Sequence, residues 1–261
     1  MDKQNARTQL TFQNVSFHYG QEEHALPIFK HLNIDIYKRE FVSLLGPSGS
    51  GKSTFFRLAT GLDIPKEGHI YIDQKEEKNR LGKVGYMPQN DLLLPWRTVL
   101  ENGVLPLEVK GVKKTEARQK VKKHLDKFGL AGTENRYPHE LSGGMRQRVS
   151  FLRAMLSGND ILLLDEPFSA LDAMTRFMMQ EWLLEQWSTW QKTLIFITHD
   201  IEEAVFLSDR IFLFTNPPIE NQLEEAVIPL SRPRGTETRS TPEFMALKNE
   251  LLSRMKTRVQ S

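Results

Sequence analysis

The chain has 261 residues, enough for one large α/β domain or for a core with a subdomain inserted in it. Its formal charge is only +2, with 35 basic against 33 acidic residues, which argues against a broad nucleic-acid footprint. It contains no cysteine, so disulfides, thiolate metal sites and cysteine nucleophiles are excluded.

The opening "MDKQNARTQL" lacks the apolar core of a secretory signal, and no apolar run approaches the about 18 residues of a membrane span. The chain is therefore not expected to cross a membrane alone. Residues 10–19 alternate apolar and polar and predict a strand. "NIDIYKREFVSLLG" predicts two more, broken at Lys38–Glu40. The second of these ends directly in "GPSGSGKST", residues 46–54, which fits the phosphate-loop pattern G-x-x-x-x-G-K-[ST]. A helix, "STFFRLATGL", follows and is stopped by Gly61. "GHIYID" and "KVGYMPQ" predict short strands.

From about Asn90 to Asn159 the pattern is helical. Ala117, Val121, Leu125 and Phe128 recur at helical spacing, and another helix follows Gly144. Strand character returns in "DILLLDEP" and, after the helix "LDAMTRFMMQEWLLEQW", in "TLIFITHD". Apolar strands flanked by helices predict an α/β fold with a mostly parallel sheet covered on both faces. Residues 230–242 are polar and contain proline, hence a linker. Beyond them Phe244, Leu247, Leu251 and Met255 share a helical face, with Thr241 as N-cap and Pro242 in the first turn.

The phosphate loop explains its own residue types. Gly46, Gly49 and Gly51 let the backbone wrap a polyphosphate closely, and the amides of Gly49 to Lys52 form a nest of donors. Pro47, Ser48, Ser50 and Thr54 complete the cradle. Lys52 supplies charge to the β- and γ-phosphates, and the Ser53 hydroxyl ligates Mg²⁺. "ILLLDEP" brings Asp165 and Glu166 to the carboxyl edge of the sheet, where open α/β folds bind ligands. There Asp165 suits a place beside Mg²⁺, and Glu166 suits the attacking water as base or positioner. His199 ends another strand and can donate to the γ-phosphate. Gln89 ends a further one, and its amide can reach Mg²⁺ or the water.

"LSGGM", residues 141–145, is a second glycine turn opening a helix; alone it reads as a capping turn. Together with "GPSGSGKST", Gln89, "ILLLDEP", "SALD" and His199, in that order, it makes residues 8–230 resemble the ATP-binding subunit of an ABC transporter. The resemblance implies a P-loop NTPase (RecA-like) core at residues 1–89 and 160–230, with an antiparallel β region near the N-terminus. It implies an inserted α-helical subdomain at 90–159, and leaves 231–261 as linker and C-terminal helix.

The resemblance further implies ATP as substrate and a head-to-tail homodimer. In it Ser142, Gly143 and Gly144 of one subunit grip the γ-phosphate on the other, and Asp172 sits at the same interface. Tyr19 falls where the family stacks an aromatic ring on adenine. Met145 stands where many relatives have glutamine. The apolar cluster Leu92–Trp96 is either core packing or a patch for a transmembrane permease subunit. "LLPW" and the flanking text resemble the importers of nitrate, aliphatic sulfonates, taurine and the pyrimidine precursor of thiamine; a sulfonate-, nitrate- or taurine-type solute is the expectation, with the thiamine pyrimidine precursor as the alternative. Such systems imply permease subunits, an extracytoplasmic solute-binding protein, and a peripheral position on the cytoplasmic face of the membrane. A soluble ABC ATPase acting outside transport is the rival reading.

Overall fold

The computed structural model describes residues 7–21 and 25–259; the opening "MDKQNA", read above as no secretory leader, lies outside them. The chain folds into two compact units. One holds the residues up to Lys83 and those from Gln180 on, and the other is Val84–Met179.

In the first unit β1 (Thr8–Tyr19) and β2 (Leu26–Tyr37) pair antiparallel. Each must correct its alternation once. In β1 the buried Phe12 and Val15 are three apart, and Asn14 between them turns to a positive φ. In β2 the buried Phe29 and Leu32 are likewise three apart, with His31 at positive φ. These bulges return the apolar set of each strand to the inner face. β4 (Glu67–Ile72) pairs antiparallel with β1, and the two-residue β5 (Lys75–Glu76) with β4. This is the antiparallel region expected near the N-terminus.

β3 (Phe41–Leu45) is buried throughout and lies between β8 (Thr193–Thr198) and β9 (Arg210–Leu213), parallel to both. Their largely apolar sequences are what burial on both faces requires. β10 (Ile219–Gln222) joins β2 in parallel, and β11 (Glu224–Val227) joins β9 antiparallel. α1 (Lys52–Thr60) follows β3 and ends at Gly61 in the left-handed conformation. Its Phe55 stacks on Phe12 at 4.3 Å and meets Phe214 edge-on.

In the second unit β6 (Gly85–Met87) and β7 (Ile161–Asp165) are parallel. Its helices are α2 (Val99–Val109), α3 (Lys114–Leu125) and α4 (Gly143–Leu156), joined by irregular chain. Ala117, Val121, Leu125 and Phe128 are all buried, as their spacing predicts. Thr98 and Glu101 form a reciprocal capping box that starts α2. α5 (Ala173–Trp190) carries the chain back into the first unit.

α6 (Ile201–Leu207) follows His199, and α7 (Pro242–Val259) closes the chain. The polar stretch 230–242, read as a linker, is held down by its arginines. Arg234 is only 6% exposed and donates to the carbonyls of Val205, Phe206, Ser208 and Leu230. Burial lowers the pKa of its guanidinium, and these acceptors offset that cost. Phe244 and Leu251 of α7 are buried, whereas Leu247 and Met255 are half-buried. Among the described residues no helix is long and apolar enough to cross a membrane.

Candidate nucleotide site

Parallel register positions the first unit's groups. Leu45 of β3 lies opposite Thr198 of β8, so Gly46 and His199 leave the sheet side by side at its carboxyl edge. The loop then demands glycine. A Cβ on Gly46 would lie 2.4 Å from the Phe214 carbonyl oxygen, and Gly51 has φ 96°. Gly51 caps α1 without any side-chain bond, so no capping oxygen competes for the amides of the first turn.

Lys52 is 5% exposed. Its Nζ donates to the carbonyls of Gly46 at 2.8 Å and Pro47 at 2.6 Å, and to Ser50 Oγ at 3.3 Å. The ammonium thus bridges the loop from Gly46 to Ser50. Ser48, Gly49 and Ser53 are exposed, while Ser50 and Thr54 are buried. The Tyr19 hydroxyl lies 3.3 Å from Thr54 Oγ1 and 3.5 Å from Asp63 Oδ2. Arg57 grips Asp63 through two bonds and holds its carboxyl below the usual range. The Tyr19 ring is anchored by its hydroxyl and edge-on to Phe17, yet 39% exposed.

The second unit repeats the device. Met87 of β6 lies opposite Leu164 of β7, so Gln89 emerges beside Asp165 and Glu166. Gln89 Nε2 donates to Glu166 Oε2 at 3.1 Å. Glu166 has φ 43°, a left-handed conformation rare for such a residue, and it turns the chain sharply as β7 ends. Asp165 is 8% exposed and accepts from the Tyr86 hydroxyl at 3.3 Å. Sequence reasoning passed over Tyr86; its place in "GYMPQ", three residues before Gln89, was the available signal.

The "LSGGM" turn lies in the same unit. Ser142 caps α4 by accepting from the Met145 amide at 3.3 Å. Gly143 and Gly144 are half-buried at the helix start, and Asp172 is exposed. Asp172 accepts from the Thr175 amide at 3.0 Å, and bonds from Thr175 hold its carboxyl below the usual range. Arg146, also missed, ties the turn to the segment after Gln89. It donates to the Leu141 carbonyl at 2.8 Å and pairs with Asp91 at 3.3 Å. The Leu92–Trp96 cluster divides: Leu93 is buried, whereas Leu92 and Trp96 are 61% and 71% exposed. Trp96 borders a cavity of about 270 Å³ with Arg97, Glu101, Val104, Glu108, Lys114 and Arg118.

Among the described residues no group of three or more His, Asp or Glu side chains could hold a metal by itself. Ser53, Gln89 and Asp165 are hard oxygen donors. Each is of the type that Mg²⁺ takes from a protein beside phosphate oxygens and water.

Comparison with known proteins follows the same lines. A sequence profile described as ABC transporter matches residues 29–169. The chain is 46% identical over 243 residues to the formylaminopyrimidine import ATP-binding protein ThiZ of Halalkalibacterium halodurans, spanning 93% of this chain and 94% of that one. It is 39% identical over 230 residues to the aliphatic sulfonates import ATP-binding protein SsuB of Bacillus cereus, spanning 88% and 90%. Among solved structures, a dimeric post-hydrolysis state of the ATP-binding cassette MJ0796 bound to ADP and Pi superimposes with a TM-score of 0.73. That match has 32% identity and spans 85% of this chain and all of the other. The cbiO1 protein of Clostridium perfringens, at 23% identity, has a TM-score of 0.76 over 98% of this chain and all of that one, and shares the fold.

Proposed function

The chain belongs to the ABC transporter family as an ATP-binding, ATP-hydrolysing subunit, and from that premise we propose that it drives solute import by ATP-dependent closure of a homodimer. Gly46 to Thr54 hold the phosphates, with Lys52 neutralising the β- and γ-phosphates, and Tyr19 stacks on adenine. Glu166 orients the attacking water and draws its proton, kept in place by the Gln89 amide. His199 donates to the γ-phosphate. Mg²⁺, when bound, neutralises charge on the phosphates; Ser53, Gln89 and Asp165 are the side chains assigned to hold it.

Ser142, Gly143 and Gly144 act on the nucleotide of the partner subunit, with Asp172 at the same interface. One phosphate loop and one "LSGGM" per chain support this reading, since two-fold pairing of two copies completes two centres. The dimer described for the cassette bound to ADP and Pi supports it too. Release of phosphate removes the contacts that bias the closed state, which makes the pair a switch.

In this reading residues 1–89 with 160–230 do the nucleotide chemistry, 90–159 carry the signature turn and the docking face, and 231–261 brace the core. Leu92, Trp96 and the neighbouring cavity receive a transmembrane permease subunit on the cytoplasmic face of the membrane. An extracytoplasmic solute-binding protein selects the cargo.

For the solute, the observation that carries most weight is the 46% identity to the formylaminopyrimidine subunit, against 39% for the sulfonate subunit. A formylaminopyrimidine-type solute is therefore placed before sulfonate, nitrate or taurine. The test is to purify the whole complex and identify by mass spectrometry what its solute-binding subunit retains. An aminopyrimidine is expected; an alkyl sulfonate or nitrate contradicts the choice of solute.

A further inference from the structure

A set of buried polar contacts runs from the C-terminal segment to the peptide that carries His199. Thr198, immediately before His199, accepts at Oγ1 from the Asp200 amide immediately after it, at 3.0 Å. The same hydroxyl donates to Glu203 Oε2 at 2.7 Å. Asp200 in turn accepts from the amides of Glu202 and Glu203 and so caps α6. His199 is therefore bracketed on both sides.

Glu203 is 7% exposed, and a carboxyl group buried this deeply needs hydrogen-bond partners on both oxygens. Its second oxygen accepts from Gln180 Nε2 at 2.8 Å, and Gln180 is itself 2% exposed. The orientation of the Gln180 amide is dictated from outside, because its Oε1 accepts from the Arg239 guanidinium. Arg239 stands in the stretch 230–242. It also donates to Glu202 Oε1 at 3.0 Å and lies 3.9 Å above the Phe206 ring. Lys248 of α7 takes the other Glu202 oxygen at 2.7 Å. Capping α6 requires only Asp200. Nothing in that cap calls for a second, buried carboxylate with one oxygen on the hydroxyl beside His199 and the other on an amide set by the tail.

We propose that Glu203 and Gln180 are positioning residues, through which Arg239 of the C-terminal segment fixes His199 for ATP hydrolysis. The proposal rests on the reading of His199 as a γ-phosphate donor. Buried polar networks of this kind favour one geometry, and small misplacement of a group acting in the transition state lowers turnover more than binding.

The test is a donor–acceptor exchange in the full-length protein, reading kcat for ATP hydrolysis and Kd for ATP separately. Glu203→Gln turns an amide towards an amide, and Gln180→Glu turns a carboxylate towards a carboxylate. Each is expected to lower kcat about tenfold with Kd changed by less than about twofold. The double variant Gln180→Glu/Glu203→Gln restores every pairing and is expected to recover kcat to within about threefold of the parent. Single variants with parental kcat, or a folded double variant no better than the worse single, overturn the relay.

If the buried variants fail to fold, Arg239→Met probes the outer end of the relay. It is expected to lower kcat about threefold at unchanged Kd, and parental kcat in it overturns the proposal. His199→Ala run alongside separates the two claims. Full turnover in that variant removes the role of His199 itself, whereas lost turnover leaves only the relay at stake.

Discussion

The turns at Gly46–Thr54 and Leu141–Met145 both lead the chain into a helix through glycine, but for different reasons. At Gly46 the constraint is internal: a Cβ would meet the Phe214 carbonyl at 2.4 Å, and Gly49 and Gly51 have left-handed backbones. No side chain caps the helix that follows. At Gly143 and Gly144 the backbone is not left-handed, and Ser142 already caps the helix. A Cβ on Gly143 would come no nearer than 3.5 Å to a neighbour, and one on Gly144 would reach only the Thr175 methyl at 3.0 Å. The first loop owes its glycines to its own fold. The second is a finished helix start at which Ser142 is exposed and Gly143 and Gly144 are half-buried. A turn that is already capped and still partly exposed is what contact with a ligand held elsewhere would require.

The comparison breaks most sharply at Lys52. Lys52→Ala is expected to cut ATP turnover by about a hundredfold or more, because it removes the only side-chain ammonium of the loop. Nucleotide binding, followed by fluorescence titration, should weaken with it. Near-parental turnover in this variant contradicts the assignment of the first loop.

Ser142→Arg sharpens the contrast with a narrower effect. Turnover should fall by about tenfold or more, while ATP still binds the variant's own phosphate loop with Kd within about threefold. If binding and turnover fell together as at Lys52, the two turns would serve one local pocket.

The elements with a single strong period were legible in the sequence. The apolar runs of β3, β7 and β8 and the glycine loop carry their fold locally, and Lys38–Glu40 does separate β2 from β3. The start of β2 at Leu26 was not legible, because Pro27, Lys30 and the bulge at His31 interrupt its alternation. α2 was masked by Gly103 and Pro106, although Thr98–Glu101 is a readable start signal. The arginines of 230–242 read as linker polarity because their partners, the carbonyls of Val205 to Ser208, lie far away in sequence.

In the site, motif spacing named Lys52, Gln89, Asp165, Glu166 and His199. It could not supply the strand register that sets Gly46 beside His199, and Gln89 beside Glu166. Register depends on which strands become neighbours, and chain order does not encode that.

The central claim is that each nucleotide is served by the first turn of one copy and the second turn of another. Mixing the Lys52→Ala and Ser142→Arg proteins after dissociation tests it directly. Either protein alone has both of its centres damaged. A mixed pair regains one intact centre, combining the phosphate loop of the Ser142→Arg chain with the "LSGGM" of the Lys52→Ala chain. An equimolar mixture should recover about a quarter of parental turnover if one centre suffices. A mixture that forms mixed pairs yet stays as inactive as its components contradicts the account.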